Sequence, residues 1–244
     1  MPDLLQRCIA LVGLLITGPL MLAVGVVIRL DSDGPAMYRA ARIGTGGRQF
    51  TCLKLRTMTS RQPNGGPAVT TRNDSRVTRV GRVVRRWRLD ELPQLWNVVR
   101  GEMRLVGPRP EDPAFADLTL PLHRKVFTAT PGITGLAQLI YLDEASWLSS
   151  VDPERTYREV VLPAKLSLDS RYLDNRSLVL DLRIIVATMA ALRGRRIALE
   201  TVQGWVPATP PLAEPHAAMR VHPIAGPGAR PDSPSPPNPM GKGL

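Results

Sequence analysis

"CIALVGLLITGPLMLAVGVVI", residues 8–28, carries no charged side chain and stands between Arg7 and Arg29. As a helix it would be about 30 Å long, the thickness of a bilayer's hydrocarbon core. It reads as a membrane segment. A cleaved signal peptide is the rival, but the run is long for one, and no A-x-A-like cleavage site follows it before Arg29 and Asp31. An uncleaved anchor over residues 1–30 is therefore expected. Gly18 and Pro19 lie at its centre, where proline removes one backbone hydrogen bond and crowds the preceding turn, so a kink is expected there. A kinked helix can still cross, or it can dip into one leaflet and return with both ends on one side. Flanking charge leaves both open: Arg7 competes with Arg29, Arg39 and Arg42, which favours a cytoplasmic body without fixing the N-terminus.

Around this run the chain has 244 residues, enough for one domain with a sizeable core once extensions are set aside. Its 32 Lys and Arg against 21 Asp and Glu give a net charge of +11, which attracts an anion: nucleic acid, acidic lipid headgroups or phosphorylated small molecules. Cys8 and Cys52 form no CxxC pair, which argues against a disulfide scaffold or zinc site and fits a reducing compartment. His216 and His222 fall in a proline-rich tail, leaving only His123 for a packed site. That argues against a histidine metal cluster and a Ser-His-Asp triad.

After the anchor, "MYRAARIGTGGRQFTCLKLRTM" (37–58) alternates around a glycine-rich break at Gly44–Gly47 and predicts a β-hairpin. No Gly-Lys-Ser/Thr follows the glycines, so they read as a turn and not as a phosphate loop. Lys54 and Arg56, two apart, share a strand face that either meets an anion jointly or is simply solvated. "RQPNGGPAVTTRN" (61–73) is a loop by composition. From about Thr78 an amphipathic basic helix is expected, with Val77, Val80, Val84 and Trp87 as its apolar stripe and Arg79, Arg82, Arg85 and Arg86 elsewhere. It could rest on acidic headgroups. "TPGITGLAQ" (130–138) reads as a turn-rich loop and "LPAKLSLDSRYL" from Leu162 as a helix. "SLVLDLRIIVATMAAL" (177–192) reads as a buried or interfacial helix, because Asp181 and Arg183 interrupt it. The Pro- and Gly-rich end, 205–244, is expected to be disordered. The fold class is α+β and mostly helical: a kinked or re-entrant N-terminal membrane helix, a short β-hairpin and amphipathic interfacial helices around a single catalytic domain over 31–204.

The chemistry concentrates in "RLDELPQLWNVVRGEMRLVGPRPE" (88–111). A helix from about Asp90 to Arg100 is expected, with Pro93 in its first turn and Gly101 ending it. Asp90 and Glu91 at its start either complement the helix dipole or form a working pair kept ionised by the arginines around them. A helix N-terminus can also hold a phosphate.

Taken together, the proline-bearing anchor, "RLDSDGPAMYRAARIG", "KLRTM", "DSRVTRVGRVVRRWRLDELPQLWNVVRGEMRLVGPRP", "PGITGLAQ" and "LDLRIIVAT" resemble, in order and from Gln6 to Thr188, the bacterial sugar transferases. These are the monotopic polyisoprenyl-phosphate hexose-1-phosphate transferases. The resemblance implies transfer of a sugar 1-phosphate from a nucleotide diphosphate sugar, usually a UDP-sugar, to a polyprenyl phosphate such as undecaprenyl phosphate, with release of UMP. Such transfers initiate exopolysaccharide, capsule, O-antigen or glycoprotein glycan assembly. By the same resemblance Asp90 is the nucleophile that forms a covalent phosphosugar intermediate and Glu91 helps hold Mg²⁺. The family's cations map onto Lys54, Arg85 and Arg109, with Arg56 beside Lys54 in "KLRTM". The anchor would be re-entrant at Gly18–Pro19, in the bacterial inner (cytoplasmic) membrane, with the catalytic body on the cytoplasmic face.

Phosphoryl transfer from a polyanion onto a carboxylate needs charge neutralised and atoms aligned, which accounts for arginines around a carboxylate pair. Arg109, held between Pro108 and Pro110, offers a planar fork on stiff backbone. Three departures from the family stand out: "AQLIYLDEASW" replaces a Gln-Val-Asn-Gly-Arg-like stretch, "GEM" replaces "GDM", and Arg88 replaces a common serine or threonine. The first bears on sugar specificity, the last on a helix cap. Two other readings compete. A membrane-peripheral scaffold would use Asp90 and Glu91 only as caps, and a nucleic-acid binder fits poorly because few aromatics accompany the arginines.

Overall fold

The computed structural model describes residues 1–59, 69–71, 74–142, 144–146, 148, 152–193, 201–202 and 204–206. The apolar run forms α1 (Asp3–Asp31), helical without interruption through Gly18 and Pro19. Only Gln6, Ala10 and Ile28 of α1 are buried, while Leu15, Ile16 and Leu22 are more than 70% exposed. A core helix would hide such side chains, so α1 lies at the edge of the body and meets it along one side only. Among the described residues it is the one helix long and apolar enough to cross a membrane.

The expected hairpin is present: β1 (Met37–Ile43) and β2 (Gln49–Leu55) pair antiparallel, with Tyr38 opposite Lys54 and Ala40 opposite Cys52. A 3₁₀ turn at Thr45–Gly47 joins them, and Gly46 and Gly47 take the positive φ it requires. The basic helix is α2 (Arg79–Arg86), capped by Thr78, whose hydroxyl accepts from the Gly81 N–H at 2.9 Å. Its buried face is Gly81 and Val84, whereas Trp87, expected in the apolar stripe, is 55% exposed. Gly81 sits so close to β2's exit that a Cβ there would lie 2.1 Å from the Thr57 carbonyl oxygen.

The helix expected over Asp90–Arg100 is two pieces. Leu89–Glu91 forms a 3₁₀ turn, and α3 (Gln94–Val99) begins only after Pro93. Pro93 has no N–H to close a bond onto Leu89. The Leu89 carbonyl instead accepts from Leu92, and the three-residue spacing persists through Leu95 and Trp96. Gly101 ends α3 at φ 78°, as its position implied.

Next come β3 (Arg104–Val106), α4 (Pro121–Phe127), β4 (Gly132–Thr134) and α5 (Leu136–Ile140). β3 and β4 pair in parallel, Val106 beside Thr134, so part of the stretch read as a loop is a strand. Glycines let the backbones meet: a Cβ on Gly132 would fall 2.1 Å from the Gly107 nitrogen. Then α6 (Pro153–Thr156) passes through a π-helical segment, Tyr157–Val161, into α7 (Leu162–Asp174), and α8 (Leu178–Leu192) follows, capped by Ser177. α8 buries Leu180, Asp181, Ile184 and Ala187 and leaves Leu178, Val179, Leu182, Val186 and Met189 exposed, the two-sided character its sequence implied.

Two apolar clusters hold these elements. The larger gathers Val106, Leu136, Tyr157, Val161, Tyr172 and Ile184, among others, between α5, α7 and α8. The smaller, Ala10, Ala40, Cys52, Val98 and Met103, fixes α1 and α3 to the hairpin. Val206 is fully buried and Trp205 packs on the larger cluster, so these two residues join the body; residues 207–244 of the expected tail lie outside the described residues.

Candidate active site

Three connections bring the hairpin, α2 and the 3₁₀ turn to one place. Buried Asn97 of α3 donates to the Thr51 carbonyl (2.8 Å) and accepts from the Leu53 N–H (3.0 Å), locking β2 under the turn that carries Asp90 and Glu91. The Thr57 carbonyl accepts from the Thr78 N–H at 3.1 Å, and the Thr57 hydroxyl accepts from Arg85 Nε at 2.8 Å, which aims Arg85 across the turn. Arg88 adopts the left-handed conformation, φ 54°, a costly backbone state for a residue with a Cβ, and so turns the chain sharply from α2 into the dyad.

Arg109 is held from its backbone. The Pro108 carbonyl accepts from Gly132 N–H (2.8 Å), and the Arg109 N–H points at Asp169 Oδ2 of α7 (3.3 Å).

Three cations converge on Glu91. Arg88 reaches Oε2 at 3.2 Å, while Arg109 and Lys54 approach Oε1 at 3.4 and 3.7 Å. Burial alone would raise the Glu91 carboxyl, but Arg88, Lys54 and Arg109 overcome it and hold the pKa down at about 2. Asp90 behaves oppositely: burial and the neighbouring Glu91 charge raise its pKa, against the pull of Lys54, Arg85 and Arg88. Among the described residues no hydrogen bond or ion pair holds the Asp90 carboxylate. Burial lowers Lys54 and Arg85. For Arg109 burial acts the same way but is outweighed by Glu91, Glu144 and Glu111, so its pKa is raised.

Of the residues singled out in the sequence, Lys54, Arg85, Asp90, Glu91 and Arg109 thus share one locality. Arg56 does not join them. Its Nη2 donates to the Ser32 carbonyl (2.6 Å) and hydroxyl (3.1 Å), neutralising the C-terminal end of α1. Gly18 and Pro19 lie mid-way along α1, and nothing comes within 4 Å of where a Gly18 Cβ would stand.

Behind Arg109 lies a second cluster that sequence reasoning missed. Lys165 of α7, 3% exposed, donates to the Tyr157 hydroxyl (2.9 Å) and to Glu144 Oε2 (3.1 Å). The Tyr157 hydroxyl in turn donates to Glu111, and burial with Glu111 and Glu144 drives its pKa far up. One signal was available: Lys165 and Asp169, four apart, fall on the stripe that Leu162, Leu166 and Tyr172 bury, and a charge at such a position demands a partner.

Lys54, Arg85, Arg88 and Arg109 around the carboxylate turn carry more positive charge than Asp90 and Glu91 neutralise, an arrangement that suits an anion. The chain belongs to the bacterial sugar transferase family, whose sequence profile matches residues 1–195. It is 41% identical over 177 residues to a UDP-glucose:undecaprenyl-phosphate glucose-1-phosphate transferase of Caulobacter vibrioides, covering 71% of this chain and 62% of that protein. Similarity to a UDP-N-acetylgalactosamine-undecaprenyl-phosphate N-acetylgalactosaminephosphotransferase of Aeromonas hydrophila is 37% over 186 residues, 75% of this chain and 41% of the relative. The exopolysaccharide production protein PSS of Rhizobium leguminosarum bv. phaseoli is 35% identical over 190 residues, which cover 75% of this chain and 90% of that protein. The chain therefore spans less than two-thirds of the first two relatives.

Proposed function

We propose that this protein transfers a sugar 1-phosphate from a nucleotide diphosphate sugar, a UDP-sugar by analogy with its relatives, to a polyprenyl phosphate such as undecaprenyl phosphate. An Asp90 carboxylate oxygen attacks the sugar-bearing phosphorus, the bond from that phosphorus to the bridging oxygen breaks, and UMP leaves with the electron pair. A phosphate oxygen of the lipid then attacks the same phosphorus, and Asp90 is released as carboxylate. Dividing the transfer in two means that the two large anions need not be bound together. The observation that carries this reading is the asymmetry of the dyad: Glu91 is held by three cations, whereas Asp90 stands beside them with no hydrogen bond or ion pair among the described residues.

Lys54, Arg88 and Arg109 would share their charge between Glu91 and the donor's phosphates. Arg85, fixed by Thr57, would face the transferring group. Glu91, with Asp90 beside it, fits Mg²⁺: both offer hard oxygens, and this ion characteristically takes one or two carboxylates and completes its shell with substrate phosphates and water. Among the described residues no group of three or more acidic, His or Cys side chains offers a fuller cage. When bound, Mg²⁺ neutralises charge developing on the phosphoryl and leaving oxygens.

The exposed apolar surface of α1 supports membrane attachment; by analogy with the family, Pro19 would be the bend of a re-entrant helix in the bacterial inner membrane, with the body on the cytoplasmic face. Cysteine labelling at introduced N-terminal positions tests this topology: re-entry requires labelling from the cytoplasmic side. The transfer is tested with full-length protein in nanodiscs. UMP release from a UDP-sugar should require Mg²⁺, and a radiolabelled donor should leave an adduct that peptide mapping places on Asp90. Asp90→Asn should fold and lose both; undiminished turnover in that variant would remove the assigned nucleophile.

A further inference from the structure

Beside the dyad lies a cavity of about 420 Å³, bounded among the described residues by Arg85, Arg86, Arg88, Leu142, Ala191 and Leu192. This volume falls within the range of roughly 300–1,000 Å³ typical of small-molecule sites. The cavity adjoins the reacting groups: Arg88, one wall, donates both to Glu91 Oε2 (3.2 Å) and to the Leu142 carbonyl (3.4 Å), and Arg85, another, acts on the charge of Asp90. Its chemistry is divided. Three arginines and three aliphatic residues line it.

Such a lining suits an anion whose remaining part is hydrocarbon. It suits a nucleotide poorly, since no described lining residue offers an aromatic ring to stack on a base or a side-chain amide or hydroxyl to read its edges. The apolar side continues beyond the cavity. Leu192 follows Met189 and Ile185 at spacings of three and seven, which places them on one face of α8, and that face carries the exposed side chains of Met189, Val186 and Leu182 towards the start of the helix. A hydrocarbon chain leaving the cavity would meet an uncovered apolar track.

We propose that this cavity is the acceptor subsite: the phosphate of the polyprenyl phosphate lies against Arg85, Arg86 and Arg88, its first isoprenoid units rest on Leu142, Ala191 and Leu192, and the rest of the chain follows the outer face of α8. The inference rests on the transfer reading and adds where the second substrate enters. From this position the lipid phosphate oxygen attacks the phosphosugar on Asp90, the Asp90 oxygen–phosphorus bond breaks, and a polyprenyl diphosphosugar departs.

The test separates the two half-reactions in full-length protein, in detergent, with a short-chain prenyl phosphate so that membrane recruitment does not limit the rate. Ala191→Trp narrows the apolar side of the cavity. It should raise KM for the prenyl phosphate at least tenfold, while adduct formation from labelled UDP-sugar without acceptor changes less than twofold. Arg86→Glu, at an exposed position, should raise the same KM without a matching loss of adduct, and it covers the case in which the tryptophan does not fold. An unchanged acceptor KM in both variants would overturn the subsite, as would adduct formation falling in step with acceptor use, which would make this the donor's pocket. Wild-type protein that forms no adduct at all would overturn the transfer reading itself and the subsite with it.

Discussion

Two clusters of charge lie back to back across Arg109, and the fold treats them in opposite ways. In front, Lys54, Arg85, Arg88 and Arg109 surround Asp90 and Glu91, so cations outnumber carboxylates and, among the described residues, Asp90 is unpaired. Behind, Lys165 donates directly to Glu144 and, through the Tyr157 hydroxyl, reaches Glu111, so its hydrogen-bonding groups meet one another within the protein. The difference separates a surface waiting for an anion from a closed network. Excess positive charge around a reacting carboxylate is unfavourable until a polyanion arrives, which is how preorganised sites place their electrostatics. The rear network gives Arg109 a carboxylate field, from Glu144 and Glu111, that keeps its guanidinium charged in spite of burial.

Removing the centre of the front cluster gives the largest expected effect. Glu91→Gln leaves Lys54, Arg88 and Arg109 without their common counterion and takes away the candidate Mg²⁺ ligand. Turnover should fall by about 10²–10³, the size of loss seen when one preorganised electrostatic group is deleted. Steady-state UMP release across a Mg²⁺ titration measures this, and a variant as fast as wild type at the same Mg²⁺ would contradict the assignment. Glu91 is itself buried beneath its three cations, so thermal unfolding of the variant and the wild type separates lost stability from lost turnover.

The rear cluster should respond in the reverse sense. Lys165→Met removes the cation that, among the described residues, joins Glu111 and Glu144, and an uncompensated buried charge costs about 3–5 kcal/mol. Thermal unfolding followed by tryptophan fluorescence should register that loss. Adding Glu111→Gln to the variant should recover part of it, since the glutamine needs no counterion. If Lys165→Met unfolded at the wild-type temperature, the rear network would not be a closed one.

The same contrast governs what the sequence could reveal. The hairpin was legible because seven-residue strands alternate around glycines, and the front cluster because "KLRTM", "RRWRLDE" and "GPRP" are local motifs that resemble those of the sugar transferases. The rear network joins residues 111, 144, 157 and 165, and no motif spans that distance. β3 and β4, three residues each, are too short for a period-two pattern and depend on glycines meeting across the chain. The division of the Asp90–Arg100 helix followed from Pro93 together with the left-handed Arg88, and only the first is visible in the letters. Arg56 could not be separated from Lys54 by spacing: both lie along the same short stretch, yet one turns to the end of α1 and the other to Glu91.

Asp169 joins the two clusters and gives the smallest and most diagnostic effect. One of its oxygens takes the Arg109 N–H, while the other is buried without a well-formed hydrogen bond among the described residues. Burial raises its pKa to about 7, against the pull of the Arg109 and Ala137 N–H groups and of the Lys165 and Arg109 charges. In the unfolded chain an aspartate titrates near 3.9. Between about pH 4 and pH 7 the folded protein therefore holds a proton that the unfolded chain has released, so this group's contribution is full below that window and is lost as pH rises through it. One proton limits the slope to about 1.4 kcal/mol per pH unit. Asp169→Asn keeps an oxygen for the Arg109 N–H but cannot ionise, so melting temperatures measured from pH 5 to pH 8 should lose this descending component, and the variant should gain on wild type as the pH rises. Identical pH profiles for the two proteins would mean that Asp169 is already ionised in the fold. Arg109 would then be backed by a charge at every pH, and the front cluster's excess of cations would be smaller than its immediate ring implies.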